Sequence, residues 1–310
     1  MGTHLVVGAG PVGTGVAEIL AEQGEQVVIV TRSGSGPVHP AINRRAADAA
    51  SLEALLAAAP DASAIYNCVN PAYHRWVKDW PPLAEAFLSY AQRTGAVLAT
   101  CSNLYGYGPV DGPLSESLPL AATGVKGRVR ADMWRDAKSR HDAGQLRATE
   151  VRGSDYIIAG EQSLIASSRV VPKILRGRPV TVLGSVDEPH SWTFPADVAR
   201  LLVVVAADER AWGQAWHVPT NPARTQRQVV DELADHAGVA RVPVRSLSPA
   251  LVAMLGVVSP AIRELRETAY QRDRPFVLDD SAARDTFGLE PTPWPAILDD
   301  VLSHYGAPPS

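Results

Sequence analysis

Two cysteines, Cys68 and Cys101, occur in 310 residues. They are too few for a disulfide framework and lack Cys-x-x-Cys spacing, so both are expected to be reduced thiols. The eight histidines are scattered without paired ligand spacing, and no metal site is expected. No stretch reaches the roughly 18 uninterrupted apolar residues of a membrane helix, and Met1–Leu5 carries no basic region leading into one. The expectation is a cytoplasmic protein without a membrane partner. There is no basic excess either: 29 Lys and Arg stand against 33 Asp and Glu, a net charge of -4, which argues against nucleic acid and for a small molecule as the partner. Lysine is scarce, at Lys78, Lys126, Lys138 and Lys173 only, so each lysine calls for a reason.

What is present is an ordinary globular composition, 46% hydrophobic and 20% charged, in a chain long enough to bury about 75% of its unfolded surface. Strand-length apolar runs alternate with helical stretches: Leu5–Val7, a helix through Val16–Ala21 closed by Gly24, and Gln26–Val30. The alternation continues with a helix at 51–59, a strand at 64–69, a helix at 82–94, a strand at 96–100, a charged helix over about 126–143 and a strand at 148–152. Such repetition predicts an α/β protein with a doubly wound parallel sheet (Rossmann) and a smaller, mostly helical C-terminal substrate domain. Proline and glycine interrupt 160–195, which reads as an excursion from the sheet. The expected division is 1–160 with 196–220 for the dinucleotide, and 161–195 with 221–310 for the substrate.

Gly8-Ala9-Gly10-Pro11-Val12-Gly13 follows the first strand and opens the first helix, the context in which a Gly-x-Gly-x-x-Gly turn cradles a diphosphate. Free N–H groups at the helix start then face the anion. After the second strand comes Thr31-Arg32-Ser33, with no acid to hold ribose hydroxyls; Arg32 with Ser33 suits a 2′-phosphate, so the expected cofactor is NADP.

These residues resemble the extended short-chain dehydrogenase/reductases, the NAD(P)-dependent epimerases and dehydratases. Thr100-Cys101-Ser102-Asn103-Leu104-Tyr105-Gly106 is similar to the family's serine-rich strand end, and Ser115–Leu120 to the loop before its catalytic helix. His190–Ala199 and Ala282–Pro291 resemble two of its later segments. The glycines at 8, 10 and 13 follow the spacing of atypical members. The family's catalytic Tyr-x-x-x-Lys is missing: counting back from Lys126 lands on Ala122, and an ungapped match from Pro119 pairs Thr123 with Gly127. The resemblance implies Cys101, with Ser102 and Asn103 beside it, where a hydroxyl normally grips the substrate oxygen, and Lys126 as a ligand of the nicotinamide ribose. A threonine hydroxyl is far too weak an acid to replace a phenol.

Three functions follow. One is an NADP-dependent oxidoreductase on a small carbonyl, enone or hydroxyl substrate, its proton coming from Tyr105, Tyr107, Thr123 or water. The second is an epimerase or dehydratase with a transiently reduced cofactor. The third is a non-catalytic NADP(H)-binding sensor or scaffold. The family resemblance also implies a homodimer.

Asn67, Val69 and Asn70 fall at a strand end, where ligands of open sheets bind, although asparagine there also starts turns. Cys101 reads as a buried thiol rather than a nucleophile. The arginines and lysines of 126–147, with Asp132, Asp136 and Asp142 at helical spacing, read as an ion-paired solvated face. Asp155, Tyr156, His190 and Trp192 would face the cleft if the family's geometry holds, Asp155 and Tyr156 as acid or anchor. Arg263–Glu267 reads as an exposed helix or a lid.

Overall fold

The computed structural model describes residues 2–247 and 267–306. Strand β1 (Thr3–Val7), helix α1 (Pro11–Glu22) and β2 (Gln26–Thr31) form the opening unit. Pro11 starts α1, whose buried residues Val12, Gly13, Val16, Ala17, Leu20 and Ala21 recur at helical spacing on one face. Gly24, at φ +83°, ends it: its N–H donates to Ala21 and that of Glu25 to Leu20, a glycine helix stop. There follow β3 (Ile42–Ala46), α2 (Leu52–Ala58), β4 (Ala64–Asn67), α3 (Trp76–Thr94), β5 (Val97–Asn103), α4 (Val125–Asp142) and β6 (Arg147–Gly153). Then come β7 (Asp155–Tyr156), α5 (Val171–Ile174), β8 (Val180–Val182), β9 (Trp192–Thr193), α6 (Pro195–Ala207) and β10 (Ala215–His217). The described chain ends with α7 (Gln226–His236), β11 (Val244–Ser246), α8 (Tyr270–Asp273), α9 (Ser281–Phe287) and α10 (Trp294–His304).

The main sheet has seven strands in the order β3-β2-β1-β4-β5-β6-β10, all parallel. Alternation along each strand feeds two cores. Val6, Val27 and Ile29 pack with α1 and α6 on one face. Leu5, Val7, Val28 and Val30 pack with Leu55, Phe87 and Ala137 of α2, α3 and α4 on the other. Because the chain winds outward from β1 to β3 and then returns to β4, the carboxyl ends of β1 and β4 flank the point where winding reverses, and a ligand crevice opens there.

Two elements depart from the sequence expectation, and a third gains its order from packing. Helix α3 begins at Trp76, not at 82, and carries Pro81 and Pro82 inside it; the prolines deprive the carbonyls of Val77 and Lys78 of helical partners, at a place where both residues are exposed to solvent. Edge strand β3 buries only Ile42, so no apolar run announced it. The excursion at 160–195 is ordered by packing: Ile157, Ile165, Val171, Ile174, Val180 and Trp192 share a further core with residues of α7 and α10.

Candidate active site

At the carboxyl end of β1, the Gly8 N–H donates to Val30 and Gly8 takes φ +103°. A Cβ there would stand 2.7 Å from the Cys68 carbonyl oxygen, and one on Gly13 would overlap the Gly8 carbonyl oxygen. Both glycines are therefore required by the protein itself. Gly10 differs: it is the extended N-cap of α1 with no side-chain cap, and no atom lies within 4 Å of a Cβ built on it. The first N–H groups of α1, those of Val12 and Gly13 beyond Pro11, belong to the helix start that lacks intrahelical acceptors, the kind of terminus that receives an anion.

Beyond β2, Thr31 Oγ1 donates to the Ser35 carbonyl at 3.1 Å and Ser33 Oγ to Ser35 Oγ at 3.0 Å, so the turn folds on its own hydroxyls. Arg32 is exposed and has no hydrogen bond or ion pair among the described residues. On β3, Arg45 stands in register beside Val30, with no motif to mark it in the sequence. At the end of β4, Asn67 Oδ1 accepts from the Val69 N–H at 3.4 Å, the turn-starting role, while Val69 packs against the indoles of α3.

The carboxyl end of β5 carries the other expected residues. Cys101 Sγ lies 3.4 Å from the Tyr156 hydroxyl, Ser102 is buried, and Asn103 Oδ1 accepts from the Tyr105 N–H at 3.1 Å. The Tyr105 hydroxyl meets that of Tyr73 at 2.8 Å. Burial, reinforced by Tyr73, pushes the Tyr105 phenol well above its ordinary range. Burial, with Cys101 beside it, does the same to Tyr156, and burial also raises Tyr73 and Cys101. These groups hold their protons at neutral pH and are weak acids. Tyr107 lies elsewhere, in a buried network with Arg152 and His217.

Helix α4 and the loop before it carry no Tyr-x-x-x-Lys pair. Thr123 is exposed in the loop before it, and its carbonyl accepts from Arg128. A Cβ on Gly127 would lie 2.6 Å from the Tyr105 carbonyl oxygen, so the helix packs by its backbone against the exit of β5 and no lysine fits there. Neither count, Ala122 with Lys126 nor Thr123 with Gly127, yields two buried functional groups. The buried charged residues of α4 are Lys126 and Arg130, four apart and so on one face. Lys126 is 3% exposed; its Nζ lies 3.4 Å from Glu267 Oε2 and 5.8 Å from the centre of the Tyr73 ring. Its backbone N–H donates to Glu267 Oε1 at 2.6 Å. Glu267 is the one described residue of the charged run 263–267; the rest lies outside the described residues.

Arg130 is 6% exposed and lies over the rings of Trp76 and Trp80, at 4.7 and 4.3 Å. Its Nη2 donates to Asn70 Oδ1 at 3.5 Å, while Nε and Nη1 are buried without partners. The expectation of a solvated, ion-paired face holds for the rest of the helix, where Arg135 pairs with Asp132, Lys138 with Asp142 and Arg140 with Asp136. It fails for Lys126 and for Arg130, the latter because Trp76 and Trp80, from the first turns of α3, cover it.

On the opposite side, Asp155 Oδ2 lies 3.4 Å from His190 Nε2. Burial works against the Asp155 charge, but His190 and Arg272 outweigh it and hold the carboxyl below its ordinary range. The Asp155 carboxyl is thus ionised at neutral pH. His190 Nδ1 faces the Gln271 carbonyl at 3.0 Å. Trp192 belongs to the packing of the further core, its Nε1 donating to the Arg224 carbonyl at 2.9 Å. Among the described residues no group of His, Cys, Asp and Glu could hold a metal ion, and no helix is long and apolar enough to cross a membrane.

Solved structures share this architecture. The chain superposes on dTDP-glucose 4,6-dehydratase of Bacillus anthracis str. Ames, in complex with NAD, with a TM-score of 0.76 and 16% identity over 99% of this chain and 97% of that one. UDP-glucose 4-epimerase of Brucella ovis in complex with NAD gives 0.74 and 19% over 100% of each. UDP-glucose 4-epimerase of Thermotoga maritima with UDP-glucose gives 0.76 and 16% over 98% and 99%. At these identities the likeness is one of fold. No curated protein matches the chain in sequence. The profile of one family matches residues 4–218, across the glycine turn, the β5 exit and the sheet as far as β10, and the chain belongs to that family, the NAD dependent epimerase/dehydratase family.

Proposed function

We propose that the protein binds NADP(H) and carries out an oxidation or reduction of a small organic substrate at the carboxyl ends of β4 and β5. The observation that supports it is the glycine cradle: Gly8 and Gly13 have no room for a side chain, while Gly10 leaves the start of α1 open. The unpaired Arg32 beyond β2 favours the 2′-phosphate. Gly8, Gly10, Pro11, Val12, Gly13, Arg32 and Ser33 would hold the dinucleotide. When bound, the nicotinamide ring supplies or accepts a hydride. The chain contributes charge rather than an acidic phenol: Lys126 brings a cation to the β5 exit, where it would hold the nicotinamide ribose and stabilise negative charge developing on a substrate oxygen. Tyr73 and Tyr105 keep their protons and shape the floor. The smaller helical part of the chain, with Asp155 and His190, forms the facing wall. Membership of the family favours a second reading, an epimerase or dehydratase; a cofactor retained through purification would support it.

Calorimetry with NADPH and NADH on the wild type and Arg32→Ala tests the cofactor. A charge-assisted bidentate contact is worth about 1.5–3 kcal/mol, so NADPH should bind at least tenfold tighter than NADH (roughly 1.4 kcal/mol), and the substitution should erase the difference. Equal affinities in the wild type would refute the assignment.

A further inference from the structure

Arginine carries five N–H donors and cannot lose its charge in a protein. Buried arginines therefore sit against carboxylates, but Arg130 does not. One donor reaches Asn70 Oδ1, at the long limit of hydrogen bonding, and two donor atoms have no acceptor. The buried carboxylate whose charge it feels, Glu150, is already engaged by Arg152 at 2.7 Å. Trp80 Nε1, in a ring that Arg130 lies over, is also buried with no acceptor. The indole faces recover part of the cost of desolvating the cation, yet they leave these N–H groups unsatisfied. The unmet groups around Arg130 are all donors; Asp155 Oδ2 and Gln271 Oε1, also without a hydrogen-bond partner, belong to the His190 side, and the charge left without a counterion here is that of Arg130, since Glu267 pairs with Lys126. The unmet donors gather under Asn70, an exposed residue at the carboxyl end of β4, beside Cys101 and the Tyr73–Tyr105 pair.

We propose that Arg130 is the specificity residue that anchors a carboxylate of the substrate, which displaces the Asn70 side chain. The inference rests on the dinucleotide-dependent reading above and adds the substrate class, a monocarboxylic acid. One uncompensated cation balances one carboxylate, whereas a phosphate near neutral pH brings almost twice the charge. An acceptor-only group also suits a cluster made wholly of donors.

Because Arg130 lies on two tryptophans, the test is intrinsic fluorescence at constant ionic strength, titrating propionate, benzoate and inorganic phosphate with and without saturating NADP. Wild type should show a saturable change with a carboxylate and none with phosphate. Arg130→Lys should weaken the carboxylate at least tenfold, and Arg130→Met should abolish the response while melting at or above the wild-type temperature, since it removes an unpaired buried charge. A wild type that responds to no carboxylate, or to phosphate alone, overturns the proposal. So does an Arg130→Met protein that responds as the wild type does, or a lysine variant that binds as tightly. If Arg130→Met fails to fold, the lysine variant decides. Calorimetry with NADP separates the two readings: no nucleotide binding but an Arg130-dependent carboxylate response sinks the cofactor and leaves the anion site standing.

Discussion

Gly13→Ala should lose dinucleotide binding and stability together, whereas Gly10→Ala should lose binding alone. The added methyl at Gly13 meets backbone, the Gly8 carbonyl, with Cys68 Cβ at 3.1 Å behind it, so β1, the turn and α1 must part. Overpacking of this kind costs about 1–3 kcal/mol, and displacing the helix start withdraws its N–H groups from an anion. At Gly10 the methyl meets no protein atom. It projects only into the space a diphosphate would enter, so the melting temperature of the nucleotide-free protein should be unchanged while NADPH affinity falls at least tenfold, roughly 1.4 kcal/mol. Thermal melts with and without NADPH distinguish the two variants. If Gly10→Ala bound NADPH as the wild type does, the turn would not be the diphosphate site.

Stability should also fall steeply between pH 6.5 and pH 4 because of His217. The carbonyl of Asp279, 2.8 Å from His217 Nδ1, can only accept, so Nδ1 carries the proton. Nε2 then accepts from the Tyr107 hydroxyl at 2.8 Å, and that hydroxyl accepts from Arg152 Nη1 at 2.6 Å. A second proton on His217 would reverse this chain next to the Arg152 cation. Burial accordingly pushes His217 down to about 4. The unfolded chain takes up the proton near pH 6.5 and the folded one does not, so stability is full above pH 6.5 and drains as pH drops toward 4, by about 3 kcal/mol from this residue. Burial lowers His4 as well, with the same sign. Glu116 and Asp280, raised by burial, bind protons more readily when folded and act in the opposite sense in the carboxylate range. Denaturant unfolding of the wild type and His217→Gln across pH 4–8 isolates the histidine: the variant's slope should be markedly shallower, and parallel slopes would contradict the assignment.

Lysine is scarce in this sequence, which marks Lys126, and the structure buries it at the β5 exit; the second buried cation of α4 carries no such mark. Arg130 stands among arginines spaced from aspartates as on any solvated helix. Nothing local marks it, because the groups that cover it, Trp76 and Trp80, come from a helix whose start two prolines concealed. Tyr105 stood out as a proton donor by its place after β5. Tyr73, 32 residues earlier, holds its hydroxyl, and that pairing turns it into part of the floor.

Local chemistry alone determined the βαβ opening, the glycine turn, the absence of an acid after β2 and the parallel sheet, since each depends on periodicity or backbone conformation within a few residues. Tertiary structure decided which charges are dry. The partners of Lys126, Arg130, Asp155 and His217 arrive from segments 35 to 141 residues away, and burial, which sets the strength of a charge, belongs to the packed whole and to no stretch of sequence.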